Sequence, residues 1–376
     1  MNILYIANAR MPTEKAHGIQ IAKMCEAFIA QGADVTLVVP RRKSVPTTIQ
    51  EFYGLHTDVK TIRLPVIDAY QLGAVGFIVG SLSFMVISFL FVLWRRMKGE
   101  RFIIYTVDMD TFSGSLLPLV GAQVFTEMHN GKPAHVAQRF FFRHLSGVIA
   151  INRILASEFQ KKFRRSRVRY AIEPNGVDAE FFRPRDKAEA RRRLGIAEHT
   201  KVALYVGRFF DWKGLEIIPA AARAGTAVKW YLVGGAAEDF IRVTHAHPEP
   251  SMHFIGSVPQ EDIVWWNAAA DVLVVLGTKR DTQSYFYTSP MKLFEYLLSE
   301  RTIVASDTPA IREIISEKEA LFYTPDSAEN LAAKVHEAIE SPTAMNERIA
   351  AAAKLGHHYS WHGRAERILQ FMSGNS

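Results

Sequence analysis

A short segment near residue 290 combines a possible anion-binding helix start with polar side chains at helical spacing. Ser289 is a favoured N-cap residue and Pro290 suits the first helical position, so the pattern predicts a helix beginning there. The N–H groups of Met291 and Lys292, at the positive end of that helix, can hold an anion such as a phosphate. Glu295, one turn further on, can accept hydrogen bonds from a hydroxylated ring. An ordinary surface helix explains the same pattern equally well.

The elements around this segment decide which side chains are available. One helix face is apolar and is expected to pack; it carries Leu293, Phe294, Leu297 and Leu298. The other face, with Lys292, Glu295 and Ser299, is expected to be open. A buried strand ending near Asp307 follows, so the segment reads as loop, helix and strand of an α/β sheet.

The segment GRFFDWKG, residues 207–214, is a second candidate phosphate site. It places Arg208 and Lys213 five residues apart, directly after the predicted strand Val202–Val206. An arginine forks onto two oxygens and a lysine acts as a point charge, so the pair suits a departing diphosphate. The glycines at both ends of the segment make it more specific than a lone basic residue on a loop.

The first half of the chain opens as a βαβ unit. Strands are predicted at Ile3–Ala7 and Val35–Val39, with a helix from Gly18 to Phe28 between them. A glycine at that turn lets the backbone approach a diphosphate. The requirement of the turn itself is the alternative explanation.

His129 lies where a ligand is expected in such a sheet. It follows the predicted strand Ala122–Thr126, at the carboxyl end that faces ligands in open α/β sheets. A neutral imidazole there can hydrogen-bond a substrate hydroxyl or phosphate. A loop histidine that is satisfied locally remains the alternative.

Two aspartates nearby raise the question of a metal site. Asp108 and Asp110 follow the predicted strand Phe102–Val107. They suit either a metal pair or a cap, with Asp110 capping a helix near Thr111, and the cap is the preferred interpretation. These two residues alone therefore do not predict a metal site.

The second half repeats the strand and helix alternation, which predicts two doubly wound α/β domains facing each other across a cleft. Its further strands are Lys229–Val233, His253–Ile255, Val272–Leu276, Ile303–Ser306 and Leu321–Tyr323. The turn-rich PNGVD at 174–178 is the expected linker. The predicted domains are residues 1–173 and 174–357, followed by a C-terminal helical segment, 358–376, that needs a surface to bury its apolar side.

Residues 69–94 contain no charged side chain, and a helix over about 72–94 is long enough to span a bilayer. The strands before and after it are expected in one sheet, which a single crossing would separate. We therefore favour a helix that dips into one leaflet, with Arg95, Arg96, Lys98 and Arg101 meeting anionic head groups. A buried core helix and a true anchor stay open.

Composition limits the remaining function classes. The chain has 376 residues, a single cysteine, Cys25, and a net charge of +7. One cysteine allows no internal disulfide and no secretory signal is predicted, so a cytoplasmic protein is expected. The positive charge favours an anionic partner, but no aromatic nucleic-acid motif accompanies the basic clusters around 161–169 and 191–193. Solvated helix faces are the preferred interpretation of those clusters.

Three segments, taken in their order along the chain, resemble glycosyltransferase family 4, of the GT-B fold. They are PNGVD, GRFFDWKG and SPMKLFEYLLSERTIVASDTPAIREII. The resemblance implies retaining transfer from a nucleotide-sugar donor, with no metal or other cofactor, and a C-terminal helix that crosses back to the first domain. It also assigns donor contacts. Arg208 and Lys213 would hold the diphosphate and Glu295 the ribose. The phosphate and sugar would lie near Gly18, Met291 and Lys292, the base near Gly234, Ser257 and Val258, and the donor sugar at His129.

Tyr287 departs from the family pattern. Many members carry two glutamates eight positions apart, and here only the second, Glu295, is present. A phenol hydrogen-bonds a sugar hydroxyl but supplies no carboxylate, so Tyr287 and Ser289 are expected to bind substrate without fixing the donor sugar.

The resulting expectation is a retaining hexosyltransferase, class EC 2.4.1, in cell-surface glycan assembly. Its partners would be a nucleotide-sugar, a lipid-linked or polysaccharide acceptor and the anionic inner face of the cell membrane, and not nucleic acid. A nucleotide-sugar epimerase of the same fold, or a catalytically reduced nucleotide-sugar-binding protein, are the alternatives.

Overall fold

The protein is described from a computed structural model. The structure describes residues 1–43, 47–132, 136–163, 168–225 and 227–374. The chain divides into two compact units, Met1–Pro174 together with Trp361–Ser376, and Asn175–Ser360. The domain limits predicted from the sequence stay predictions.

The first unit is built on a parallel sheet of seven strands. The strands are β1 (Asn2–Ile6), β2 (Asp34–Pro40), β3 (Thr61–Leu64), β4 (Ile103–Val107), β5 (Val124–Met128), β6 (Gly147–Ala150) and β7 (Arg169–Ile172). Their order is β3-β2-β1-β4-β5-β6-β7, and every neighbouring pair is parallel. β1 lies inside the sheet between β2 and β4, with Ile3 opposite Val35 on one side and Ile103 on the other. Because both faces of the central strands are covered, these strands are mostly apolar, with a few buried polar residues such as Glu127 in β5.

The described part of this unit contains six α-helices. They are α1 (Ala16–Ala30), α2 (Ile49–Tyr53), α3 (Gly73–Met97), α4 (Val136–Arg143), α5 (Arg153–Lys162) and α14 (Trp361–Ser373). Cys25 is buried in α1, as its apolar neighbours predict. Helix α14 packs on α1, and its Phe371 lies so close to Gly147 that a β carbon there would be 2.7 Å from the ring. The predicted return of the C-terminal helix to the first domain is confirmed.

The second unit carries a parallel sheet of six strands. They are β8 (Lys201–Val206), β9 (Val228–Val233), β10 (Met252–Gly256), β11 (Val272–Val275), β12 (Thr302–Ser306) and β13 (Leu321–Tyr323), in the order β10-β9-β8-β11-β12-β13. The α-helices are α6 (Lys187–Leu194), α7 (Ile218–Ala224), α8 (Ala237–Thr244), α9 (Gln260–Ala269), α10 (Met291–Leu297), α11 (Pro309–Arg312), α12 (Ala328–Glu340) and α13 (Asn346–His358). Apolar clusters fill both sides of this sheet.

Helix α3 has one buried face and one exposed apolar face. The buried face carries small residues and two large apolar ones, Phe84 and Val92, which are fully buried. The opposite side exposes a line of large apolar side chains along the whole helix: Leu72, Val75, Val79, Leu82, Val86, Leu90, Trp94 and Met97. Within the described part of the chain, α3 is the helix whose length and composition suit a membrane span, and only a third of its most apolar stretch is buried.

Several local expectations are wrong. The edge strands β3 and β7 were not predicted, and β5 extends to Met128, so Glu127 lies inside the strand. In the basic cluster, Arg169 lies in β7, whereas Arg164, Arg165 and Arg167 lie outside the described residues. Arg191 is not solvated: it is buried and pairs with Asp271 at 2.9 Å.

Candidate functional site

In the second unit, the loop after β8 lies at the carboxyl edge of the sheet and consists of the segment GRFFDWKG. Gly207 (φ +136°) and Gly214 (φ +76°) have backbone conformations that favour glycine, which explains the glycines at both ends of GRFFDWKG. A 3₁₀ turn, Asp211–Lys213, lies between them. The Lys213 ammonium is 5.4 Å and 5.2 Å from the ring centres of Phe210 and Trp212, and Arg208 is exposed. The loop therefore presents its two predicted cations at the expected edge.

The ends of β8 and β9 meet at two glycines. A β carbon on Gly234 would lie 2.6 Å from the carbonyl carbon of Gly207 and 3.0 Å from the amide nitrogen of Arg208. A β carbon on Gly207 would lie 2.8 Å from Nζ of Lys292. The Lys292 side chain therefore reaches the predicted diphosphate loop, a role the sequence assigned only to its amide.

Lys292 and Lys213 together form a cationic cluster. Nζ of Lys292 lies 3.6 Å from the centre of the Tyr205 ring. Burial, and then the charge of Lys213, hold the pKa of Lys292 well below its ordinary value. Burial also lowers the pKa of Lys213 to about 8. Among the described residues neither ammonium group forms a salt bridge, although the charge of Glu295 acts on Lys292. A bound anion would therefore stabilise both charges further.

Glu295 is the acidic residue beside this cluster. It is 9% exposed, and burial raises the pKa of its carboxyl to about 7 although the charge of Lys292 lowers it. The expectation of an open helix face is wrong, because Ser299 is also buried and its hydroxyl donates to the Glu295 carbonyl at 2.8 Å. Only the side chains nearest the helix start, Lys292 and Glu295, remain at the edge of the sheet.

The start of α10 differs from the prediction. The helix begins at Met291, and Pro290 is extended with ψ 117° and makes no side-chain cap. The Ser289 hydroxyl instead accepts a hydrogen bond from the Asn175 amide at 3.1 Å, and the Ser289 carbonyl accepts one from Asn175 Nδ2 at 2.8 Å. Ser289 therefore fastens the PNGVD segment to the α10 loop and does not cap the helix. Anion binding by the Met291 and Lys292 amides stays a prediction.

The other predicted donor contacts of this unit lie around the same edge. Gly234 donates its amide to the carbonyl of Gly256 at 2.6 Å, which brings β9 next to the segment with Ser257 and Val258. Tyr287 ends a π-helical turn, Gln283–Tyr287, that packs against the turn holding Lys213. The structure thus gathers these residues at one edge, while their roles toward a donor stay predictions.

In the first unit, His129 lies directly after β5 and is oriented by a buried carboxylate. Its Nε2 is 2.8 Å from Oε1 of Glu127. Glu127 is fully buried and also pairs with Arg364 of α14, whose Nη2 lies 2.7 Å from the same oxygen. The carboxylate that orients His129 is therefore itself held by a buried arginine. The sequence predicted His129 but assigned nothing to Glu127 or Arg364, because these two are 237 positions apart.

Gly18 lies in the third position of α1, not at its start. A β carbon there would be 2.2 Å from the Tyr53 hydroxyl and 2.6 Å from Cγ2 of Thr13. Packing against Tyr53 thus explains the glycine, and the alternative of a turn requirement is wrong because its φ is not positive. His17, just before it, is close enough to His129 for their charges to interact.

The aspartates after β4 are structural. Asp110 accepts hydrogen bonds from the amides of Phe112 and Ser113, both at 2.7 Å, and so caps a turn. The helix expected near Thr111 is replaced by that turn and the 3₁₀ helix Leu117–Val120. Asp108 pairs with Lys132. The described residues contain no group of three or more His, Cys, Asp or Glu side chains arranged to hold a metal.

Known proteins resemble both the second unit and the whole chain. Residues 186–356 match the family described as Glycosyl transferases group 1. Over 99–100% of its length the chain superposes on the sucrose-phosphate synthase of Thermosynechococcus elongatus (TM-score 0.76, 98% of that chain) and on Anabaena HepE in complex with UDP and glucose (TM-score 0.72, 99% of that chain). Both are 18% identical to it. The chain has the GT-B fold.

One curated relative is a protein of Bacillus subtilis (strain 168) assigned to teichuronic acid biosynthesis as the glycosyltransferase TuaC. It is 25% identical over 239 residues, which cover 62% of this chain and 58% of that protein. The chain spans about half the length of the curated relatives it matches. The matched family region contains Arg208, Lys213, Lys292 and Glu295, so the candidate phosphate edge lies within it.

Proposed function

We propose that this protein is a retaining glycosyltransferase of family 4 that moves a hexose from a nucleotide-sugar to a lipid-linked or polysaccharide acceptor. The main support for this proposal is the cationic cluster of Lys213 and Lys292 at the carboxyl edge of the second sheet. Both lysines lie inside the region that matches Glycosyl transferases group 1. Carboxyl edges of such sheets bind ligands, and a diphosphate is the anion that two adjacent ammonium groups suit.

The chemistry of the transfer follows from this cluster. The oxygen of an acceptor hydroxyl bonds to the sugar carbon as the bond between that carbon and the diphosphate oxygen breaks. The hydroxyl proton passes to the departing nucleoside diphosphate, on which negative charge grows during the step. Lys213, Lys292 and Arg208 stabilise that charge, so their interactions are stronger in the transition state than in the bound donor. Glu295 accepts hydrogen bonds from the ribose. No metal is needed for this role of the three cations.

The proposed donor gains support from a structural neighbour. HepE of Anabaena, which shares the fold, was solved with UDP and glucose. A uridine diphosphate sugar is therefore the first donor to test. Cell-surface glycan assembly is the proposed setting, in line with the teichuronic acid role assigned to TuaC.

We also propose that the enzyme works at the inner face of the cell membrane, with the exposed face of α3 lying in one leaflet. This face is a continuous apolar line about 37 Å long for 25 residues. In its last turn the ring of Trp94 lies 3.8 Å from the Lys98 ammonium, with exposed Arg96 and Arg101 nearby. Basic residues at the end of an apolar face complement anionic head groups. Because the other face of α3 packs on its own sheet, a span across the bilayer would immerse that sheet.

A thermal-shift panel of UDP, GDP, ADP and their sugars tests donor binding. One nucleoside diphosphate and its sugar are expected to raise Tm, because a ligand at 100 times its Kd adds about 2.7 kcal/mol of stability. The same ligand is expected to shift Lys213→Met much less. If no ligand at millimolar concentration changes Tm, the donor site assigned here is wrong.

A further inference from the structure

We infer that Arg364 of the C-terminal helix is a positioning residue for His129, acting through Glu127, and that this chain of contacts fixes the imidazole proton on Nε2. The inference deepens the proposed function and rests on it, since it concerns the imidazole expected at the donor sugar. It depends on contacts inside the first unit only.

Glu127 is the centre of these contacts. Its carboxylate is fully buried, and both of its oxygens accept hydrogen bonds. Oε1 accepts from Gln20 Nε2 at 2.9 Å and from Arg364 Nη2 at 2.7 Å, and it lies 2.8 Å from His129 Nε2. Oε2 accepts from the Tyr105 hydroxyl and from Arg364 Nη1 at 3.3 Å. With both oxygens held, the carboxylate has one orientation, and so does the imidazole bound to it.

Arg364 holds Glu127 by contacts that also fix the guanidinium itself. The side chain is 1% exposed. Nε donates to the carbonyl of Pro174 at 2.6 Å and Nη2 to that of Glu173 at 3.1 Å. These carbonyls are the last ones before the chain passes to the second unit, and α14 begins where it returns. Arg364, in the helix that follows the second unit, therefore links the segment that precedes the second unit to the carboxylate that orients His129.

The protonation of Glu127 decides the tautomer of His129. Burial alone would raise the pKa of Glu127, but the charge of Arg364 and the bonds from His129 outweigh it and hold the pKa well below its ordinary value. An ionised carboxylate only accepts hydrogen bonds. Nε2 of His129 must therefore be the donor, and in the neutral imidazole the lone pair is on Nδ1. His129 then acts toward a sugar hydroxyl as an acceptor at Nδ1.

Nitrogen-15 NMR of the histidine rings tests the tautomer without any turnover. The His129 signals are assigned by their loss in His129→Gln. In the wild-type protein we expect the neutral ring to show a protonated Nε2 and an unprotonated Nδ1. A protonated Nδ1 in the wild type would overturn the inference, whether or not any variant folds.

Variants then test the role of Arg364. Arg364→Met is expected to give a mixture of tautomers and to lower kcat roughly 100-fold with little change in donor KM, the loss typical of a misplaced reacting group. Arg364→Lys, which keeps the charge, should restore much of the kcat. Arg367→Met is the matched control, because Arg367 lies one turn further along α14 and pairs with Glu173 at 2.9 Å, away from Glu127.

Non-additivity separates positioning from general stability. If Arg364 acts through His129, Arg364→Met lowers kcat no further in a His129→Ala background. Equal losses in both backgrounds, or an unchanged His129 spectrum in folded Arg364→Met, would overturn the positioning role. Absence of turnover in the wild type would refute the proposed function instead, and the NMR result would still decide the tautomer.

Discussion

The ammonium nitrogen of Lys292 lies 3.6 Å from the centre of the Tyr205 ring, over the point where Gly207 has no side chain. The π face of the ring offers the cation partial compensation, which is weaker than a carboxylate would provide. A charge held in this way is available to a ligand. The two ammonium groups of the cationic cluster therefore favour the binding of an anion at this edge of the sheet.

Lys292→Met is expected to weaken nucleoside diphosphate binding more than nucleoside binding, because its cation faces the phosphate region. Isothermal titration calorimetry with UDP and uridine checks this, and the loss for UDP should reach about 1.5–3 kcal/mol, the range for a charged hydrogen bond. Lys279→Met, an exposed lysine of the same unit, is the control and should bind as the wild type does. Equal weakening of UDP and uridine would place Lys292 away from the phosphates.

Donor affinity is expected to fall as the pH rises through about 8. Lys213 has a pKa of about 8 in the ligand-free protein, so its charged form, which binds the diphosphate, is lost above that pH. Binding restores the charge, so protons are taken up near pH 8.5. Titrations in buffers of different ionisation enthalpy measure the uptake.

Lys213→Arg provides the comparison for that pH dependence. An arginine stays protonated throughout the range, so the variant should bind at pH 9 nearly as well as at pH 7. A wild-type affinity that does not change between pH 7 and 9.5 would contradict the role of Lys213 in holding the diphosphate.

Glu295→Gln is expected to stabilise the ligand-free protein at pH 8 and not at pH 5. The folded-state pKa of about 7 lies above the usual value, so the folded state binds the extra proton and loses stability as the pH rises from about 4.5 to 7. Glutamine avoids that cost, which is roughly 1–3 kcal/mol above pH 7. Urea unfolding at both pH values measures it. A variant less stable than the wild type at pH 8 would show that Glu295 is held by favourable contacts instead.

Removing the apolar line of α3 is expected to abolish flotation with anionic liposomes. The test variant carries Leu82→Gln, Val86→Gln and Leu90→Gln, all exposed positions, so the fold should persist. Ile241→Gln, an exposed apolar residue of the second unit, is the control. Flotation of the triple variant equal to that of the wild type would refute the leaflet placement.

The head-group contacts of α3 are tested separately by salt. Arg96→Gln, Lys98→Gln and Arg101→Gln together should weaken liposome binding and make the remainder less dependent on salt, since ionic attraction is screened. Arg95 is left in place because it pairs with Glu100 and is only 13% exposed. Unchanged salt dependence would show that these residues do not contact anionic lipid.

Sequence patterns predicted most of the fold because buried parallel strands are continuous apolar runs, as in β1 and β12. They missed β3, where Arg63 interrupts an edge strand, and β7, which begins within a basic cluster. His129 was predicted because position after a strand is local information. The Arg364–Glu127 pair and the reach of the Lys292 side chain were not, because both depend on contacts between distant segments. Ser289 matched a capping pattern, but a distant Asn175 occupies its hydroxyl.

The most direct test of glycosyl transfer is the release of nucleoside diphosphate from nucleotide-sugars, followed over time with and without extracted membrane lipids as acceptor. We expect release from one donor that is accelerated by acceptor, is accompanied by sugar-labelled lipid or glycan, and is lost in Lys213→Met. Conversion of the donor to an epimer without acceptor, or donor binding with no release under any condition, would contradict it.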